Sequence, residues 1–240
     1  MDISFWKNLS PNINLLSSTK QFYNQYYYKL DIHAPGCKSI RDNNIAVSVA
    51  KRQDYIRDYK RQGSWWNKEL AKHLKNADIG FLTSLKDLYH EYPEVKIRTE
   101  EPKISIYATD ELMLQSVARS IDIAYRDKLI NITGPESEEI KSILGKHVVL
   151  VKKPPKYQYR VWLKEKQFGA DTRHQILAYL LSLGDLVRMN DHTRESLGKP
   201  HNWIWGSYFY TNDKHVATFI TLINPDIIRE VSELVCVDNK

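Results

Sequence analysis

The sequence predicts an α+β chain of two domains, and three observations carry that expectation. Short segments that alternate apolar and polar residues, such as YQYRVWLK (157–164), are interleaved with segments whose apolar residues recur every three or four positions, such as ELMLQSVARSI (111–121). Proline, glycine and asparagine punctuate the joins. The 240 residues, 42% hydrophobic and 27% charged, suit one large or two small globular domains.

The first alternating segment is FYNQYYYKLDIH (22–33), which would place Tyr26, Tyr28, Leu30 and Ile32 on one face and Tyr27, Lys29, Asp31 and His33 on the other. Helical stretches follow at about 43–62, 64–77 and 78–91. The first buries Ile45, Val49 and Ile56; Gly63 ends it and Ser64 caps the next, where Trp66, Leu70, His73, Leu74 and Ala77 share a face. EVKIRTE (94–100) and KISIYAT (103–109) are strands joined by a Glu101-Pro102 turn. Asp110 caps a helix bearing Leu114, Val117, Ala118 and Ile121, and KLINITG (128–134) is the next strand. Strand, helices, strand, strand, helix, strand is the order of the ferredoxin-like (split βαβ) plan.

The second half gives a related order. After YQYRVWLK, a helix between Thr172 and Gly184 carries Ile176, Leu177, Leu180, Leu181 and Leu183. DLVRMN (185–190), NWIWGSYFYTND (202–213) and HVATFITLI (215–223) read as strands, the last two forming a long hairpin. Asn224 and Pro225 then open a final helix with Ile227, Ile228, Val231, Leu234 and Val235 on its apolar stripe. The second domain is therefore expected as a ferredoxin-like variant with a long C-terminal hairpin followed by a helix. The join is expected at the Pro-Pro pair of LVKKPPKYQ (150–158), giving a domain 1–154 with a helical basic insertion at about 43–91, and a domain 155–240. No sequence repeat marks a duplication.

Several function classes are excluded or unsupported. No stretch approaches the roughly 20 apolar residues of a membrane span, and the N-terminus lacks a secretory leader, so a cytoplasmic location without membrane contact is expected. Cys37 and Cys236 stand alone, without the spacing of a zinc site or disulfide framework. Phosphate-loop, dinucleotide, nucleophile-elbow and zinc-protease motifs are missing, so neither a cofactor nor a metal is expected.

Charge is more informative. Of a net charge of +6, five units fall in residues 51–75, which hold eight basic and three acidic side chains. Lys68, Lys72 and Lys75 form a row opposite Trp66 on the helical projection, with Lys60, Arg61 and Trp65 just before it. Clustered cations among aromatic rings are what a polyanion binder needs, since each neutralised phosphate releases a counterion. Strand 157–164 supplies a second candidate surface: Arg160, Trp162 and Lys164 alternate with Val161 and Leu163, so cations and an indole would share an open sheet face and grip unstacked bases. The neighbouring segment would add either Tyr208 and Tyr210 or Trp203, Trp205 and Phe209, depending on register.

The expected function is therefore binding of single-stranded or structured RNA or DNA without catalysis. The alternatives are a protein-interaction or assembly module, as a homo-oligomer or with a partner, whose Lys-, Asn-, Ile- and Tyr-rich composition fits a viral or phage source, and a metal-independent ribonuclease using His33, His174 or His192. The architecture is similar to that of RNA-recognition domains, but their Lys/Arg-Gly-aromatic-Gly/Ala-aromatic motif is absent from both halves.

Overall fold

A computed structural model describes residues 1–59, 71–145, 147–199 and 203–237. The chain is α+β and divides into two compact units, Met1–Ser18 with Phe22–Ser142, and Thr19–Gln21 with Ile143–Lys240, each built on one five-stranded sheet.

The first unit runs α1 (Ile3–Leu9), β1 (Asn14–Ser17), β2 (Tyr28–His33), α2 (Ile45–Tyr59), α3 (Ile79–Glu91), β3 (Lys96–Glu100), β4 (Lys103–Ala108), α4 (Glu111–Ser120), β5 (Leu129–Gly134) and α5 (Glu138–Ile143). Residues 71–75 are also helical. Its sheet has the order β1-β5-β2-β4-β3; β1 is parallel to β5 and every other pair is antiparallel. Asp78 and Asp110 start α3 and α4 by accepting backbone N–H bonds from Phe81 (2.9 Å) and Leu112 (3.1 Å). The apolar stripes of these helices, Phe81, Leu82 and Leu85 with Leu114, Val117 and Ala118, bury against Leu30, Ile32, Ile104, Ile106 and Ile132 of the sheet. β2 begins later than its alternation implies, because Tyr23 and Asn24 adopt left-handed φ of 54° and 55° and return the chain so that Phe22 pairs with Tyr26.

The second unit runs β6 (Val148–Val151), β7 (Tyr159–Leu163), α6 (Ala170–Ser182), β8 (Val187–Met189), α7 (Asp191–Gly198), β9 (Tyr208–Thr211), α8 (His215–Ile223) and β10 (Ile228–Cys236). Its order, β6-β10-β7-β9-β8, repeats that of the first sheet strand for strand, with the same parallel edge pair and the same antiparallel remainder. Ile176 and Leu180 of α6, Leu197 of α7 and Val216 and Ile220 of α8 pack on Val161, Leu163, Val187 and Phe209. All three helices therefore cover one face of the sheet.

Two of the expected elements take another form. Residues 215–223 are a helix rather than a strand of a hairpin. β9 and β10 are not neighbours: both lie antiparallel to β7, so they run parallel to each other, and parallel strands need a crossover. Asp213 begins that crossover by accepting the His215 N–H (2.8 Å).

The expected final helix is instead β10. Ile228 pairs with Leu163 and Val231 with Val161, so a bulge adds one residue on β10 and turns the two-residue apolar spacing of a strand into the three-residue spacing of a helix. Asn224 accepts the Asp226 N–H (2.9 Å) and closes the turn between α8 and β10 rather than capping a helix. Among the described residues the second unit thus carries no C-terminal hairpin followed by a helix. The units also part between Ser142 and Ile143, ahead of Pro154, because β6 lies in parallel register beside β10. No helix among the described residues is long and apolar enough to cross a membrane.

Candidate functional site

The helix-free face of the second sheet is set by register. Arg160 lies opposite Tyr210 on β9 and Ser232 on β10, Trp162 opposite Tyr208 and Glu230, and Arg188 on β8 opposite Tyr210. Val161, Leu163 and Phe209 point the other way and are fully buried. The register left open by the sequence therefore puts Tyr208 and Tyr210, not Phe209, beside Arg160 and Trp162. Trp203 and Trp205 are exposed and pack on each other, with ring centroids 5.4 Å apart.

These side chains form one aromatic and cationic cluster. The Arg160 guanidinium lies 5.0 Å from the Trp162 ring and 6.0 Å from Tyr208, Arg229 lies 4.9 Å from the same indole, and Trp162 meets Tyr208 at 4.7 Å. Arg229 also reaches Glu165 (3.6 Å), whereas Arg160 has no ion pair among the described residues and its buried Nε has no hydrogen-bond partner. Each ring contact holds a guanidinium in place for roughly 0.5–1 kcal/mol without neutralising its charge.

Lys164, the third residue expected on this strand, is committed elsewhere. It pairs with Asp226, which Lys166 also contacts at 2.5 Å. Hydrogen bonds from these two ammonium groups pull the Asp226 carboxyl down to about 2. Of the helical lysine row, Lys72 and Lys75 are exposed on either side of the buried Leu74, in the first unit. Lys60, Arg61, Trp65 and Lys68, with Trp66 and Leu70, lie outside the described residues.

The three histidines singled out for catalysis sit on separate elements. His33 ends β2, where burial, then His73 and Lys128, hold its pKa below the usual value. His174 is exposed on α6, and the His192 ring meets the Trp205 carbonyl oxygen through Nε2 at 2.6 Å. Arg173, next to His174, is fully buried; it donates to the carbonyls of Phe168 (3.3 Å), Ser196 (3.4 Å), Leu197 (3.3 Å) and Lys199, and so closes the C-terminal end of α7. Among the described residues no group of three His, Cys, Asp or Glu side chains is arranged to hold a metal ion. Cys37 is buried and free, its thiol pushed up to about 12 by that burial, which makes it a poor nucleophile.

Alternation overlooked Arg188, although Val187 and Met189 flank it with the apolar pattern of a short strand. Arg229 was hidden by the bulge. The first unit presents a different helix-free face: Asp31, fully buried on β2, accepts from Ser105 Oγ (2.6 Å) and Asn131 Nδ2 (3.3 Å) and pairs with Lys29 (2.9 Å) and Lys103 (3.7 Å). Burial raises its pKa, but the hydrogen bonds from Ser105 and Lys29 outweigh that and leave it below the ordinary carboxylate value. Its basic groups are thus partly neutralised from within, unlike Arg160.

No known protein-family model matches the sequence, and no curated protein matches it.

Proposed function

We propose that the chain is a non-enzymatic, cytoplasmic nucleic-acid-binding protein that holds single-stranded RNA or DNA on the helix-free face of its second sheet. The observation that carries this reading is Arg160, a cation without an ion pair among the described residues, lying against the rings of Trp162 and Tyr208 on a sheet face that no described helix of its unit covers. Both units are read as ferredoxin-like. In the first unit the last four strands follow the strand–helix–strand–strand–helix–strand order, in the second α7 is inserted between the two middle strands, and in both the last strand lies beside the first and one further strand adds a parallel edge.

Binding would proceed by exchange. Arg160 and Arg229 lie over the indole of Trp162 in the free protein. A base stacked on that indole gains about 1–3 kcal/mol and displaces a contact worth about 0.5–1 kcal/mol. The displaced guanidinium then lies beside the phosphate of the same nucleotide, where a bidentate contact is available. The exposed Lys72 and Lys75 add sequence-independent attraction. Lys164 contributes less than Arg160, because it shares Asp226 with Lys166 and the three groups together keep one positive charge.

The test is anisotropy of a labelled single-stranded oligonucleotide. Trp162→Ala should weaken binding about 5- to 150-fold at an unchanged salt slope. Arg160→Ala should lower the slope by about 0.7. Lys164→Ala should weaken binding less than Arg160→Ala does. Full affinity in both Trp162→Ala and Arg160→Ala would sink the assignment of this face.

A further inference from the structure

One strand away from Trp162, residues 151–157, β8 with the two residues after it, β9 and Leu234 of β10 line an open pocket of about 600 Å³. Its wall is aromatic: the rings of Tyr157 and Tyr210 stack with centroids 6.3 Å apart and planes 24° apart, and Tyr208 meets Tyr210 edge-on at 5.5 Å and 81°. Tyr157 is fixed by donating its hydroxyl to the Asp185 carbonyl (3.3 Å). Its rim is cationic: Lys153, Lys156 and Arg188 are exposed and, among the described residues, make no ion pair. Asp191 is the sole acidic side chain among the described lining residues.

Flat apolar walls with a positive rim fit a ligand that is aromatic at one end and anionic at the other. Inorganic phosphate would use the rim and leave the rings idle, and an uncharged aromatic would do the reverse. A duplex cannot use the rings, because its base faces are already stacked. The volume lies within the roughly 300–1,000 Å³ of small-ligand sites and can take a single nucleotide.

We propose that this pocket is a subsite for one unpaired nucleotide of the bound strand, with its base against Tyr157, Tyr208 and Tyr210 and its phosphate at Arg188, Lys153 and Lys156. The assignment rests on the nucleic-acid reading of the same face and specifies where a nucleotide sits on it.

The experiment is an NMR titration of the ¹⁵N-labelled full chain with adenosine 5′-monophosphate, adenosine, inorganic phosphate and, separately, a single-stranded oligoadenylate. The nucleotide should shift the amides of Tyr157, Arg188, Tyr208 and Tyr210 to saturation, and adenosine or phosphate alone should need at least about tenfold higher concentration. Arg188→Glu, at an exposed side chain, should weaken the nucleotide about tenfold or more. Oligoadenylate shifts at Arg160 and Trp162, with no response of the pocket to the nucleotide, would overturn the subsite and leave the nucleic-acid reading standing. Silence of the whole face to both ligands would overturn both. Equal responses to phosphate and nucleotide would overturn the subsite in favour of a bare anion site.

Discussion

Asp31 illustrates what a single residue needs from distant parts of the chain. Alternation in YKLDIH places it opposite Leu30 and Ile32, and that much is legible in the sequence. Its partners are not, since Ser105 and Asn131 lie 74 and 100 residues away and reach it only through strand register. Asp31→Asn should cost on the order of 3 kcal/mol at neutral pH, because Lys29 and Lys103 lose the charge that holds them over a buried position. The native pKa is depressed, so the contribution is complete above the unfolded value of about 3.9 and disappears as pH falls through the lower native one. Urea unfolding should therefore separate wild type from Asp31→Asn at pH 7, with the gap narrowing in acid; an equal gap at both pH values would contradict the ion pairing. Arg173 teaches the converse lesson. A pattern of Arg beside His reads as chemistry, yet the side chain is spent on the backbone carbonyls at the end of α7.

At the scale of elements, strands and helices with undisturbed periods are legible, as the capped α4 and the alternating β7 illustrate. The failures have definite causes. A bulge gave β10 a helical apolar spacing, and β-branched residues gave α8 a strand-like composition that the crossover requirement overrides. α7 left a weak signal because it is short and only Thr193 and Leu197 are buried. Its role is to place β9. Thr193 Oγ1 donates to the Tyr208 carbonyl (2.8 Å) and accepts the Tyr208 N–H (2.9 Å), so both backbone groups at the start of the aromatic strand depend on one hydroxyl. Thr193→Val should lower stability by about 1–3 kcal/mol in denaturant unfolding, and loosen oligonucleotide binding by displacing Tyr208. A variant as stable as wild type would mean that Tyr208 is held by the sheet alone.

For the whole molecule, the two sheets share strand order and pair directions without a detectable sequence repeat. Apolar patterning and crossovers fix such a plan, and many unrelated side chains satisfy both. The helix-free faces are where the copies differ: the first is centred on a carboxylate satisfied by its own sheet, the second on an arginine held by rings. That contrast is why binding is proposed for the second unit. The face of β7 was legible because a strand's side chains alternate with a period of two, whereas the choice of Tyr208 and Tyr210, and the places of Arg229 and Arg188, became visible only with the sheet assembled. The most direct measurement is anisotropy of labelled single-stranded RNA, single-stranded DNA and duplex DNA with nucleic-acid-free protein, across a series of salt concentrations. Tighter binding of single strands, with log K falling linearly in log salt, is the predicted result. Absence of binding at low salt, or binding indifferent to salt, would contradict the account and turn Trp162, Trp203 and Trp205 into candidates for a protein interface.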